Sequence, residues 1–345
     1  LWSRGLGDVY KRQVFGGQKM TSLEKTKRVS QASILAPILR GLCSSEQNMI
    51  GHFTDDTKVL EFINSNDLNR LAPMGTSCPD HFLRTKIKPL ILALDPEDDL
   101  MDASAVLEKI TPSFEQYRKD YQEYYDSCKR SDSPAIRDAN PVVILYPGVG
   151  MFTFAKNKQT ARVASEFYIN AVNVMRGAEA ISKYTSLPRQ EAFDIEYWLL
   201  EEAKLQRQPK EKPLSRKVAL ITGSGGGIGR AIADKLISEG ATVVFTDISE
   251  DYLKKSTAKY IPDQAIACQC DVTSEESIEA AVQKASLQFG GLDIVVHSAG
   301  LAISKPVEDT TETDWDLLQD VLVKGQFLLS RACLLYTSPS PRDQR

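Results

Sequence analysis

The segment KVALITGSGGGIGRAIADKLISEGATVVFTD has the residue spacing best suited to chemistry in this sequence. Gly223, Gly227 and Gly229 lie between a short apolar run, VALIT, and an amphipathic stretch, AIADKLISEG, that stops at Gly240. A side chain in such a turn would hold the backbone away from a pyrophosphate. Glycines let it approach, and the helix N-terminus that follows supplies free N–H groups and a positive dipole. Asp247 closes the next apolar run, ATVVFTD, about twenty residues on, where a carboxylate can bind the 2′- and 3′-hydroxyls of a ribose and would repel a 2′-phosphate. The chemistry predicted is dinucleotide binding with NAD as cofactor.

Positioning these residues requires a strand at Val218 to Thr222, a helix from the glycine turn to Gly240 and a second strand ending at Asp247, which together form a βαβ unit. Ahead of it, LQRQPKEKPLSRK places Pro209 and Pro213 among charges, a linker composition. The linker is set at 206–216.

The preceding region is expected to be mostly helical. SFEQYRKDYQEYYDSC puts Phe114, Tyr117, Tyr121 and Tyr125 along one helical stripe, predicted as core packing. Val142 to Tyr146 reads as a strand, Pro147 to Gly150 as a glycine turn that could bind phosphate, and Lys158 to Ile181 as a helix. In CPDHFLRTK, His81, Arg84 and Lys86 could grip a sugar phosphate. Equally, Asp80 could cap a turn while the cations face water.

Composition excludes several classes. Lys plus Arg number 42 and Asp plus Glu 46, so no basic footprint for nucleic acid is present. No apolar run approaches the roughly 18 to 20 residues of a membrane span. Leu1 to Lys19 has no signal-peptide core. The six cysteines are scattered without a CxxC pair, which suits a reducing cytoplasm and argues against a disulfide framework or a zinc ribbon. Three histidines, His52, His81 and His297, are too far apart in sequence to suggest a local metal site.

The glycine segment, with Asp271 in CDVT and with LDIVVHSAG from Leu292 to Gly300, resembles the short-chain dehydrogenases. The resemblance implies a Rossmann-type doubly wound parallel sheet. It assigns cofactor contacts to Thr222, Gly223, Ser224, Gly227, Ile228, Gly229, Asp247, Asp271, Val272, Ser298, Ala299 and Gly300, with Asp271 against adenine and Gly300 in the turn after the fourth strand. The sequence departs from the family pattern at Ser298 and at Leu322, two positions where the family usually has Asn. The asparagine missing at Leu322 normally helps organise a proton relay. His297 is read as a strand-end residue rather than a catalytic one. The family's catalytic Ser and Tyr-x-x-x-Lys pair belong to the next strand and helix. Tyr336, followed by Thr-Ser-Pro-Ser, is no substitute, so no catalytic residue is assigned. An edge left open beside the last strand is expected to be a solubility liability.

The whole chain resembles the bifunctional rhamnulose-1-phosphate aldolase/short-chain dehydrogenases. The resemblance is carried by IGHFTDD, LAPMGTSCPDHFLRTKIKPL, YPGVGMFTFAKNKQTARVASEFYINAVNVMRGAEA and EYWLLEEAKL, in family order ahead of the dehydrogenase segments. It implies an α/β chain: a helix-rich C-terminal part of a class II aldolase-like region at 14–205, then the first half of a dehydrogenase domain at 217–332. It implies cleavage of a phosphorylated deoxy-ketose to dihydroxyacetone phosphate and lactaldehyde, then NAD-dependent oxidation or reduction of the aldehyde. The small-molecule partners would be a sugar phosphate and an aldehyde, with no nucleic acid or membrane partner, in a cytoplasmic homo-oligomer. In class II aldolases, zinc held by histidines stabilises the enediolate. Those ligands are expected before Val14. Pro147 stands where a His is expected, so that turn reads as a degenerate structural copy.

The two ends carry a different signal. SRGLGDVYKRQ and CLLYTSPSPRD can be encoded by opposite strands of one oligonucleotide that resembles a transposase sequencing adapter. Residues 1–13 and 333–345 are therefore expected to be absent from the natural protein, and the remainder to catalyse neither reaction. Two other readings stay open: a single-function short-chain dehydrogenase behind an unrelated helical domain, and a non-catalytic nucleotide-binding protein.

Overall fold

The computed structural model describes residues 14–45 and 47–336. The expected adapter-derived ends lie outside the described residues, except for 333–336, which continue a helix.

The first half is built around a four-stranded sheet as well as helices. Helix α1 (Lys25–Leu42) precedes strand β1 (Ile50–Thr54). A short strand β2 (Leu90–Ile91) follows, then helix α2 (Ala103–Cys128), strands β3 (Val143–Tyr146) and β4 (Gly150–Ala155), helix α3 (Lys158–Ile181) and helix α4 (Arg189–Glu196). The strand order is β1-β4-β3-β2, with β2 and β3 parallel and the other pairs antiparallel. The region is helix-rich as expected, and the sheet adds strands beyond Val143–Tyr146 that the sequence did not mark. The segment after the Pro147–Gly150 turn is a second strand, so the unit is a hairpin followed by a helix. The residues GMFTF are buried on both faces, and a strand covered on both sides lacks the polar alternation that reveals a half-exposed one.

Helix α2 starts at Asp102, whose carboxylate accepts from the N–H groups of Ser104 and Ala105. Phe114, Tyr117, Tyr121 and Tyr124 are its buried aromatics, and Tyr125 is half-buried. The stripe keeps the helical period of about 3.6 residues and so selects Tyr124 where Tyr125 was expected.

The second half alternates strictly. Strand β5 (Val218–Thr222), helix α5 (Gly227–Ser238), β6 (Thr242–Asp247), helix α6 (Glu250–Thr257), β7 (Ala265–Gln269), helix α7 (Glu275–Phe289) and β8 (Ile294–His297) succeed one another. All four strands are parallel, in the order β7-β6-β5-β8. This is the three-two-one-four order of half a doubly wound sheet. Beyond β8 come helix α8 (Glu312–Gln319), a π-helical turn (Asp320–Lys324) and helix α9 (Gly325–Tyr336). Strand β8 stands at the edge and is half-exposed.

The halves share a core. Ile50 of β1 packs with Val218, Leu220 and Phe289. A Cβ on Gly51 would lie 2.8 Å from the Gly290 Cα, so the two backbones meet directly. Beside this contact, Arg40 Nη2 donates to Asp293 Oδ2 at 2.7 Å and to the Arg216 carbonyl at 3.1 Å. Asp293 also accepts from the Val218 N–H and the Asn48 amide, each at 2.8 Å. A buried ion pair is tolerated when its remaining lone pairs and protons are satisfied in this way. Among the described residues no helix is long and apolar enough to cross a membrane.

Candidate functional site

The three glycines of the β5–α5 turn meet three different surroundings. Gly223 has φ +62°, and a Cβ there would lie 2.7 Å from Ala299 Cα. The turn after β5 is therefore pressed against the turn after β8. A Cβ on Gly229 would lie 2.5 Å from the Gly223 carbonyl oxygen, so only glycine lets the helix pack this close to the turn. A Cβ on Gly227 would meet nothing within 4 Å. The first helical residue thus opens onto unfilled space. Helix α5 starts from Gly226 with no side-chain cap, and Ile228 is 76% exposed. A pyrophosphate needs such a place: N–H groups at a helix start, positive dipole and no side chain in the way. Ser224 fastens the turn to β6, its N–H and hydroxyl both donating to the Thr246 carbonyl at 3.0 and 3.1 Å.

Asp247, at the end of β6, is oriented by two backbone donors. Gly225 N–H donates to Oδ2 at 3.0 Å and Ser249 N–H to Oδ1 at 2.9 Å. The carboxylate is thereby fixed at the rim of the glycine turn. Thr222 lies beneath, 1% exposed. Its hydroxyl accepts from the N–H groups of Ser298 and Ala299, both at 3.1 Å, and so organises the second turn. Gly300 continues that turn against Leu322, whose Cδ2 would lie 3.2 Å from a Cβ at Gly300. Thr222, Gly223, Gly229, Ser298, Ala299 and Gly300 are therefore one assembly, with Asp247 joined to it through Gly225. Asp271 does a different local job. Its Oδ1 accepts from the Thr273 N–H and hydroxyl at 2.9 and 2.8 Å and shapes the β7–α7 loop. Val272 is buried and packs under Gly325.

The feature that the sequence did not announce is the π-helical turn at Asp320–Lys324. It carries Leu322 and borders the Gly300 turn. Turns of this kind are uncommon and concentrate at functional sites.

The cations assigned to sugar phosphate in the first half do not share a partner. His81 is buried, its Nδ1 3.1 Å from the Thr76 hydroxyl and its ring edge-on to Phe167, and burial lowers its pKa. Lys86 sends its amine inward to the carbonyls of Asp138 and Asn140 and over the Tyr121 ring at 4.2 Å. Burial pulls that amine down to about 8. Arg84 is exposed. The Pro147–Gly150 turn is filled from within: the Gly148 N–H donates to Asn64 Oδ1 at 2.7 Å, and a Cβ at Gly148 would strike Pro96 Cγ at 2.6 Å. Among the described residues no three His, Cys, Asp or Glu side chains gather as a metal site. His52, His81 and His297 bond respectively to Lys158, Thr76 and Thr222. The residues present do not fit a zinc ion.

Comparison with known proteins agrees with the division seen in the fold. The family model for the second domain of class II aldolases matches residues 30–205, and that for short-chain dehydrogenases matches 217–340. An uncharacterized oxidoreductase, YuxG, of Bacillus subtilis is 37% identical over 94% of this chain and 47% of its own length. An NAD-dependent glycerol dehydrogenase of Listeria innocua is 37% identical over 35% of this chain and 48% of its own length. A short-chain dehydrogenase/reductase structure from Brucella melitensis is 31% identical, with a TM-score of 0.35 over 36% of this chain and 51% of that one. The chain spans about half the length of the curated relatives it matches. Half of the chain matching one family model, with the dehydrogenase match directly after it, places this protein in the class II aldolase second-domain family, with a short-chain dehydrogenase domain following.

Proposed function

We propose that the second half binds NAD and serves hydride transfer in a bifunctional enzyme of sugar catabolism whose first half belongs to the aldolase. The observation that carries this reading is the glycine turn, with its open Gly227, its uncapped helix start and Asp247 fixed at the rim. A carboxylate held there accepts from ribose hydroxyls and repels a 2′-phosphate. The Listeria relative, named an NAD-dependent glycerol dehydrogenase, supports the same choice. For the whole protein the proposed reaction is cleavage of rhamnulose 1-phosphate, with NAD-dependent conversion of the lactaldehyde released. The parent enzyme is proposed to be a cytoplasmic homo-oligomer with zinc in its aldolase region. In this reading the dinucleotide is bound through the glycine turn of the second half.

Fluorescence titration with NAD and with its 2′-phosphorylated form tests the cofactor choice. NAD is expected to bind at least about tenfold more tightly, a difference of about 1.4 kcal/mol. Asp247→Ala is expected to narrow the gap. Equal affinity of the unmodified chain for both forms would sink the reading.

A further inference from the structure

His297 ends β8 between the cofactor turn and the π-helical turn. Its Nδ1 lies 3.2 Å from the Thr222 hydroxyl oxygen. That hydroxyl already accepts two hydrogen bonds, from the N–H groups of Ser298 and Ala299. A threonine hydroxyl has two lone pairs and one proton. With both lone pairs taken, the bond to the ring is made with the hydroxyl's own proton. Nδ1 is then the acceptor, and the neutral imidazole carries its proton on Nε2. Nε2 is buried and makes no hydrogen bond. Burial lowers the pKa of the ring, and the backbone of Val321 in the π-helical turn opposes that effect. Burial keeps the ring in its neutral form at neutral pH.

We propose that His297 is a positioning residue for the dinucleotide, holding the proton of the Thr222 hydroxyl that organises the cofactor turn. The tie runs in one direction: Thr222 donates to Nδ1. The inference rests on the proposed binding of NAD for its consequence, but its geometry stands on this chain alone.

Two measurements on the chain test it. The first is the imidazole nitrogen-15 spectrum, which three histidines keep simple and which His297→Asn assigns by the loss of one set of signals. The expected pattern for His297 is a pyridine-like Nδ1 and a pyrrole-like Nε2, and a proton on Nδ1 would overturn the proposal whether or not NAD binds. The second is NAD titration of His297→Leu and His297→Asn, each checked for its thermal transition. Leucine leaves the Thr222 proton without an acceptor, and NAD affinity is expected to fall about tenfold, as the loss of a buried partner implies. Asparagine restores an acceptor near the Nδ1 position and is expected to recover most of that loss. Leucine binding NAD as well as histidine, or asparagine recovering nothing while folding normally, would overturn the positioning role. An unmodified chain that fails to bind NAD, with the expected tautomer present, would instead defeat the proposed function and leave the hydroxyl–imidazole tie standing.

Discussion

Two glycine turns in this molecule look alike in sequence and behave oppositely. Each follows a buried strand and leads into a region ending in a long helix: Pro147–Gly150 after β3, and Gly223–Gly229 after β5. In the first, Gly148 at φ +81° points its N–H at Asn64, and Pro96 fills the space beside it. The next helix, α3, is capped by Asn157, whose side chain accepts from the Thr160 N–H. In the second, no side chain caps α5, and the space beside Gly227 is open. Glycine therefore marks where backbone must approach something. What it approaches is decided beyond the turn itself: Asn64 and Pro96 meet the first turn, and open space lies beside Gly227 in the second.

The sharpest way to break this comparison is to place the same side chain in both turns. Gly223→Val puts a β-branched residue at positive φ and onto Ala299, so NAD binding is expected to be abolished, with stability lower by about 2–4 kcal/mol. Gly148→Val is expected to cost a similar amount of stability in urea melts, with NAD affinity unchanged in the molecules that remain folded. Loss of NAD binding in the Gly148 variant at temperatures where it is folded would mean that the first turn is not merely structural.

A finer test is Gly227→Val. The position is open, so the melting transition is expected to move little, within about 0.5 kcal/mol. The branched side chain would hold a pyrophosphate off the helix N–H groups, with an expected affinity loss of about a hundredfold, the value of one or two charge-assisted hydrogen bonds. Scanning calorimetry reads the first effect and calorimetric titration the second. Unchanged affinity would show that the open space is not the pyrophosphate site.

The smallest expected effect concerns the start of helix α3 and the junction of the halves. Lys158 Nζ bonds to His52 Nδ1 at 2.7 Å and to the Gln288 carbonyl of the second half. Burial depresses this amine to about 7, and burial with the nearby Lys158 charge depresses His52 to about 3. Asp263 and Arg162 also act on Lys158, in opposite senses. Both groups bind protons more readily unfolded than folded, so stability rises with pH across each window. For His52 the rise falls between about pH 3 and the ordinary histidine value of 6.5. For Lys158 it falls between about 7 and the ordinary lysine value of 10.5. Urea melts from pH 7 to 9 are expected to show the second rise, and Lys158→Met to flatten it. A slope identical in the variant would remove Lys158 as its source.

What was legible in the sequence was local. The glycine turn, its strands and Asp247 follow from a short segment whose own spacing demands a βαβ unit. The Phe114–Tyr121 stripe follows from helical period. What could not be read depends on partners far along the chain. Strand β4 is hidden because both its faces are covered. The Lys86 amine was expected on water or phosphate, yet carbonyls more than fifty positions away draw it inward. The Arg40–Asp293 pair that locks the halves joins residues 253 positions apart. Thr222 was legible as part of the motif, but its role as an organiser of the Ser298–Ala299 turn required the register of β5 beside β8.

The central claim is that one glycine turn is a ligand site and the other is not, and amide hydrogen exchange of the chain with and without NAD tests it most directly. Exchange resolves opening segment by segment. The account predicts that NAD slows exchange at 223–229 and at 298–300 and leaves 146–150 unchanged. Slowing at 146–150, or none at 223–229 under saturating NAD, would contradict it.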